Sequence, residues 1–421
     1  IDLEHKVRYI IDKQQRHGFK VDVRKATSLM CDIRKQSAQI EEEILTFFKP
    51  KVRPVRDVKV KYKKDGTLSK VGLYHLDSMA QLGGDHTTIR YEGFNLSSPK
   101  QIVERMNEYG WKPTVFTPKG SPKVCEENLN TLPSSAPSAV KNLATWKALE
   151  TRWKTLESWL DACDSKGRIH GKVFTIGAVT GRMTHADPNM ANIVSSEESR
   201  ECLICDDDYV LVDTDASGLE LRMLAHYMRD DEFMHEVVNG DPHTVNMKAA
   251  GLSSRSEAKT FIYAFLYGAG AEKIGRIVGG NIRSGSKLKK RFLSNMPALK
   301  NLIEKVIDIA ERNRFVKGLD GRKLHIRSPH AALNTLLQGA GAIVCKQWVV
   351  EMDKNIRAKG VDANLVCSVH DQYVYEVHKR DVDTFSRICY KAIEDAGHVL
   401  KVRCPLTWEV GVGFNWYEAE H

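Results

Sequence analysis

The sequence predicts an α+β fold with a helical subdomain set between two stretches of β character. Three observations lead there. Apolar residues recur at helical spacing through most of the first 160 residues. β-rich apolar runs appear at 169–179, at 209–212 and again at 368–377. Between the last two, residues from about 241 to 310 return to helical spacing. The order is helical, then β, then helical, then β with helices, and that order is α+β.

Taken along the chain, 3–17 reads as a helix with Leu3, Val7, Ile10 and Ile11 on one face and Gly18 as its stop. Asp22 caps a second helix reaching about residue 48, with Leu29, Ile33, Ile40 and Ile44 as its stripe. Then comes KPKVRPVRDVKVKYKK (49–64), with eight Lys or Arg against one acid, Asp57. The alternation Lys59-Val60-Lys61-Tyr62 followed by Asp65-Gly66 predicts a hairpin with one basic face, suited to phosphate contact. Residues 98–112 and 138–162 read as helices, and 117–138, rich in Pro, Ser, Asn and Lys, as a surface linker. The basic Gly/Ser segment GGNIRSGSKLKKR (279–291) reads as a break in the helical subdomain.

Composition narrows the class. At 421 residues, two or three subdomains are expected. With 42% hydrophobic and 28% charged residues the chain reads as globular; its longest apolar stretch, near 336–350, is interrupted by Gln338, Lys346 and Gln347. That predicts no membrane span, and the start shows no signal peptide. The net charge of +9 is compatible with a polyanionic partner. Nine irregularly spaced cysteines read as reduced thiols in a cytosolic setting, with Cys202 and Cys205 as buried strand residues rather than metal ligands. The start at Ile1 rather than Met reads as a fragment or a trimmed chain.

Four features carry chemistry. Asp371 lies within the run SVHDQYVYEV (368–377), and Asp215 closes YVLVDTD (209–215), which precedes Gly218 and a helix. Two acids on neighbouring strands suit a pair of Mg²⁺ ions and in-line phosphoryl or nucleotidyl transfer. Asp213, two residues upstream on the same strand face, leaves the pairing open. In RSEAKTFIYAFLYG (255–268), Arg255, Lys259, Tyr263 and Tyr267 recur every four residues. They share one helix face over about 18 Å, the reach of an extended nucleoside triphosphate. The cationic pair suits phosphates and the aromatics suit sugar and base, although a basic helix end with an aromatic core stripe has the same pattern. In SPHAALNTLLQGAGA, His330, Asn334 and Gln338 repeat that spacing. Amide donors there suit the minor groove; buried amides bonded to backbone are the other reading.

Together, DASGLELRMLAHYM, AKTFIYAFLYGAGAEKIGRIVG, GLDGRKLHIRSPHAALNTLLQGAGA and GAVTGRMTHADPNMANI resemble the family A DNA polymerases, in particular the replicative polymerases of T-seven-like bacteriophages. The resemblance covers nearly the whole chain. It implies a right-hand fold: a helical thumb (1–160, with a basic insertion at about 50–93), an antiparallel palm sheet in two parts (161–240 and 320–421) and helical fingers (241–319). By that resemblance Asp215 and Asp371 are catalytic metal ligands for two Mg²⁺, with Mn²⁺ as an alternative, and the Ala216 carbonyl assists. Glu220 excludes a 2′-hydroxyl; His243, Arg255 and Lys259 hold the triphosphate; Tyr263 meets the sugar and favours dideoxynucleotide acceptance; Tyr267 stacks near the templating base. Arg182, His330, Asn334 and Gln338 track the primer–template, with His370 and Gln372 at the primer end. Arg200, in RECLIC, is a further matching position.

Three departures follow. The family's His-Asp-Glu is here His370-Asp371-Gln372, which predicts weakened metal or primer-end positioning without loss of chemistry. The proofreading exonuclease of the phage enzymes does not precede Ile1, so the expectation is a polymerase portion, or proofreading or processivity supplied by another chain. The thumb segment is short and very basic, which weighs against thioredoxin as partner and for direct DNA contact. The expected partners are primer–template DNA and dNTPs, and the expected place is the cytoplasm, the host's for a phage protein. Two alternatives stand: a polymerase-derived DNA-binding subunit with weakened catalysis, and a single-subunit RNA polymerase, against which Glu220 argues.

Overall fold

The structure, a computed structural model, describes residues 2–59, 61–67, 85–117, 119–192 and 196–420. The chain forms two compact units, one of residues up to Thr27 together with those from Ser158 onward, the other Ser28–Glu157.

The larger unit is organised by a four-stranded antiparallel sheet in the order Ala363–Val369, Gln372–His378, Tyr209–Asp215, Glu409–Gly413. Val210, Leu211 and Val212 are buried in succession, as a central strand covered on both faces requires. One face packs on the helices Ala332–Lys359 and Val382–Val399. Trp348 meets Tyr373 edge-on at 5.6 Å, the Tyr373 hydroxyl donates to the Cys345 carbonyl at 2.9 Å, and Phe385 packs on Tyr375 at 4.9 Å. Burying these rings fixes the strand register, because a one-residue slip would turn Tyr373 and Tyr375 to the other face. Gly411 and Gly413 let the C-terminal helix Trp416–Glu420 lie against the edge strand; a Cβ at Gly411 would collide with the Ala419 carbonyl.

Between the two parts of this sheet lie the helices Asp231–Asn239, Pro242–Ala250, Arg255–Leu266, Ala271–Ile277, Ile282–Asn295 and Pro297–Asn313. The segment expected to break this set is helical instead. Asn281 caps Ile282–Asn295 by accepting from the amides of Arg283 and Ser284. Gly285 is a packing residue: a Cβ there would collide with the Ala271 carbonyl on the neighbouring helix. The β texture expected at 169–179 is confined to Arg168–Ile169 and Lys172–Phe174.

The smaller unit has its own core, including Ile44, Phe48, Phe94, Met106, Trp111, Leu143 and Trp146. Residues 117–138 are not a surface linker. The short helix Glu126–Leu129 lies within this stretch, and Asn128 is buried and stands in for backbone: its Oδ1 accepts from the amides of Thr114 and Val115 and its Nδ2 donates to the carbonyls of Val115 and Lys123. The hairpin forms earlier than expected, with Lys51–Val58 paired to His86–Glu92. Lys59 and Lys61 lie outside the strands, while Asp65-Gly66 does turn, closed by the Lys63 amide on the Thr67 carbonyl. Val60 and residues 68–84 of the expected insertion lie outside the described residues. Three of its cations pair with acids: Lys51 with Glu104 and Glu108, Arg53 with Glu92 and Glu104, and Arg90 with Glu92. Arg56, Lys59, Lys61, Lys63 and Lys64 remain exposed.

Candidate active site

The central strand ends in Asp215, and its two neighbours bring Gln372 and Glu409 into register on either side of it. Asp371 is not on a strand. Val369 pairs directly with Gln372, so His370 and Asp371 form a two-residue turn, with His370 at φ 55. A positive φ at the first loop residue matches the right-handed twist of a tight hairpin and is rare outside Gly and a few polar residues. The apolar run 368–377 is therefore a strand end, a turn and a second strand. The Ala216 amide donates to the Asp371 carbonyl at 3.1 Å, stitching that turn to the end of the central strand.

The two acids share a cleft of about 570 Å³ lined by Asp213, His370, Gln372, Glu409, Gly411 and Glu420 among others. Burial pushes the Asp215 carboxyl up to about 7, reinforced by the charges of Asp371, Asp213, Glu409 and Glu220. Burial, then Glu220, raises Asp371 as well. Asp213 is pushed up to about 6, again chiefly by burial. Several carboxylates are held here against their own repulsion, which a divalent cation would relieve, although among the described residues no three His, Cys, Asp or Glu side chains are already arranged to hold a metal ion. The donor set is all oxygen, which suits a hard ion such as Mg²⁺.

The helix Arg255–Leu266 presents Arg255 and Lys259 to solvent. Ala258, Phe261, Ile262 and Phe265 are buried, with Phe261 and Phe265 packed on Phe292 at 5.0 and 5.3 Å. Tyr263 is half-buried against the core and Tyr267 is 47% exposed, so the aromatic pair is only partly a core stripe. Tyr267 lies just past the helix as its C-cap, and the two rings stack at 6.4 Å. Its hydroxyl donates to Glu220 Oε1 at 3.0 Å, and Arg182 Nη2 reaches the same oxygen at 3.3 Å. Glu220 thus ties the helix, the Arg182 segment and the neighbourhood of Asp371 together. Arg255 is gripped by Asp241 through Nε at 2.7 Å and Nη2 at 3.2 Å, and this pairing holds the Asp241 carboxyl well below its ordinary value. Asp241 also caps the helix carrying His243, whose ring lies 6.0 Å from Tyr263. Burial, then Arg255, lowers the His243 pKa. Lys259 is exposed and has no ion pair among the described residues.

His330 sits on a short 3-10 turn, exposed, with Asn334 and Gln338 following on the long helix. Among the described residues neither amide makes a side-chain hydrogen bond, so they are not amides bonded to backbone. Arg200 lies behind the cleft rather than in it. It pairs with Glu420 and stacks over Trp416 at 5.3 Å, and Trp416 in turn donates to Asp213.

One residue of the cleft, Glu409, and one buried behind it, Trp416, escaped sequence reasoning. Glu409 reaches Asp215 only through long-range strand pairing, and Trp416 reaches Asp213 only because glycines let the last helix close down. No local pattern marks either one.

The sequence model of DNA polymerase family A matches residues 68–418. The DNA-directed DNA polymerase of Enterobacteria phage T3 is 34% identical over 99% of this chain and 70% of its own length. That of Escherichia phage T7 is 34% identical over 99% of this chain and 69% of its own. Among solved structures, the POL domain of Pol1 from M. smegmatis, determined in complex with DNA primer-template and dNTP, superposes with a TM-score of 0.81 at 19% identity. It covers 99% of this chain, and this chain covers 70% of it, so the polymerase-domain architecture is shared. With that match over most of its length, the chain belongs to DNA polymerase family A.

Proposed function

We propose that this family A DNA-directed DNA polymerase extends a primer 3′-hydroxyl on a DNA template through the cleft of Asp215 and Asp371. The observation that carries this reading is the clustering of raised-pKa carboxylates beside a helix whose exposed face offers Arg255, Lys259, Tyr263 and Tyr267. Asp215, Asp371 and the Ala216 carbonyl would hold divalent cations, most naturally two Mg²⁺. Such ions, when bound, lower the pKa of the attacking hydroxyl and neutralise the leaving pyrophosphate.

The chain's own groups do the positioning. Arg255, kept extended by Asp241, and the unpaired Lys259 receive the triphosphate, with His243 beside them. Tyr263 and Tyr267 flank sugar and base. Glu220, fixed by the Tyr267 hydroxyl, occupies space a ribose 2′-hydroxyl would need, which favours dNTPs over rNTPs. The free amides of Asn334 and Gln338, with His330, Arg182 and His370, meet the primer–template. We assign 161–240 and 320–421 to the palm, 241–319 to the fingers, and Ser28–Glu157 to the thumb, with residues before Ser28 joining the palm side. The exposed Arg56, Lys59, Lys61, Lys63 and Lys64 suit DNA phosphates. A replicative role in a phage-infected cell belongs to the same proposal. Among the described residues no helix is long and apolar enough to cross a membrane.

The test is primer extension on a primed template with Mg²⁺, offering dNTPs and rNTPs in parallel. Extension with dNTPs alone supports the reading. Extension with rNTPs would point to an RNA polymerase, and tight primer–template binding without extension to a DNA-binding subunit.

A further inference from the structure

Gln372 stands where the family resemblance leads one to expect an acid, and its surroundings explain the exchange. Its Nε2 lies 2.6 Å from Oδ2 of Asp213, across the strand pair and on the same sheet face. Asp213 is 4% exposed, its Oδ1 has no hydrogen-bond partner, and it lines the same cleft as Asp215 and Asp371. The second contact to Oδ2 is the Trp416 indole at 3.3 Å. An indole N–H can only donate, so Oδ2 is an acceptor for Trp416, and a carboxylate oxygen accepts from Gln372 as well. That settles the amide orientation on chemical grounds: the nitrogen faces Asp213 and Oε1 is turned away from it. Oε1 has no partner among the described residues, and Gln372 lines the cleft.

We propose that Asp213 and Gln372 work as one unit, in which Asp213 is a positioning residue that grips the amide by its nitrogen and presents Gln372 Oε1 to the cleft of Asp215 and Asp371. The carboxylate expected at residue 372 is replaced by an oriented neutral oxygen, and the negative charge stands one step deeper, on Asp213. This rests on the polymerase reading of the cleft. It reverses the simple expectation for residue 372: restoring the family acid by Gln372→Glu is harmful, because it sets two carboxylates at hydrogen-bond distance in a buried place and removes the amide donor that joins them.

The test is a four-member cycle of the parent, Gln372→Glu, Asp213→Asn and the double variant, which exchanges amide and acid and so keeps one hydrogen bond of reversed polarity. Each is measured by single-turnover primer extension, by primer–template affinity and by melting temperature in chelator. Each single variant is expected to slow extension by roughly tenfold or more with primer–template affinity within about twofold of the parent. The double variant is expected to return to within about threefold in rate. The melting temperature should fall in Gln372→Glu and recover in the double variant. Gln372→Glu extending as fast as the parent, or a double variant no faster than the slower single one, would overturn the proposal. Recovery of melting temperature without recovery of rate would also overturn it, leaving the pair structural. A parent that extends no primer defeats the polymerase reading, whereas the melting cycle still decides whether the two residues are coupled.

Discussion

The strand Gln372–His378 carries buried polar charge partners at both ends, about four residues apart on one face, and the two ends are solved in opposite ways. At the Glu376 end the charges close on themselves. Arg168 Nη2 reaches both Glu376 oxygens at 3.0 Å and Asp206 at 2.7 Å, His17 Nε2 lies 2.5 Å from Glu376, and the Asp206 amide donates to it at 2.8 Å. Despite its burial, these partners hold the Glu376 carboxyl below its ordinary value. At the Gln372 end, Asp213, Asp215, Asp371 and Glu409 gather with few cations, and burial raises three of them. A satisfied ionic cluster fixes architecture; an unsatisfied one is strain stored for a ligand to relieve.

That contrast can be broken most severely at Asp215. Asp215→Asn is expected to cut single-turnover extension by about a thousandfold or more while leaving the metal-free melting temperature equal or higher, since it removes repulsion. A marked loss of stability would place Asp215 with the architectural end instead. The opposite behaviour is expected of Arg168→Met. It strands the Glu376 carboxylate and should cost about 3–5 kcal/mol in urea unfolding, with activity falling only as the folded fraction does.

Cation binding sharpens the difference. Mg²⁺ at a hundredfold excess over its Kd should stabilise the parent by about 2.7 kcal/mol, read as a rise in melting temperature that chelator reverses and Asp215→Asn largely abolishes. Acidity reads the same contrast with opposite signs. In chelator, the raised Asp215 carboxyl binds more protons folded than unfolded, so its contribution to stability is present at low pH and is lost as pH rises from about 4 toward about 7. The lowered Glu376 carboxyl contributes above its ordinary value of 4.5, and that contribution is lost as pH falls through its folded value. Unfolding curves across this range, compared with Asp215→Asn and Glu376→Gln, should show each slope disappear with its own substitution. The smallest effect belongs to the rim of the closed cluster. Lys20→Met removes a partly exposed partner of Asp206 and should cost under about 1 kcal/mol.

The stripe of the helix Arg255–Leu266 was legible because helical spacing places Arg255, Lys259, Tyr263 and Tyr267 on one face whatever surrounds them. The central strand was legible for a similar reason, since Val210, Leu211 and Val212 can be buried in succession only within a covered sheet. Turn chemistry was less so. His370-Asp371 carries neither Gly nor Asn, and its positive φ is imposed by the pairing of Val369 with Gln372. The supposed linker at 117–138 misled because Asn128, a residue that usually marks loops, is here buried as a substitute for backbone.

By itself, then, the sequence determined the longer helices, the central strand, the acids available and the shared spacing of Arg255, Lys259, Tyr263 and Tyr267, because those follow from local periodicity and residue chemistry. Only the tertiary structure decided which acids meet. Glu409 is brought level with Asp215 by pairing across nearly two hundred residues, Glu220 is fixed by a tyrosine forty-seven positions away, and Asp213 finds Gln372 and Trp416 from distant parts of the chain. The charge of a buried site depends on distances and desolvation in three dimensions, and neither is written in the spacing of residues along a chain.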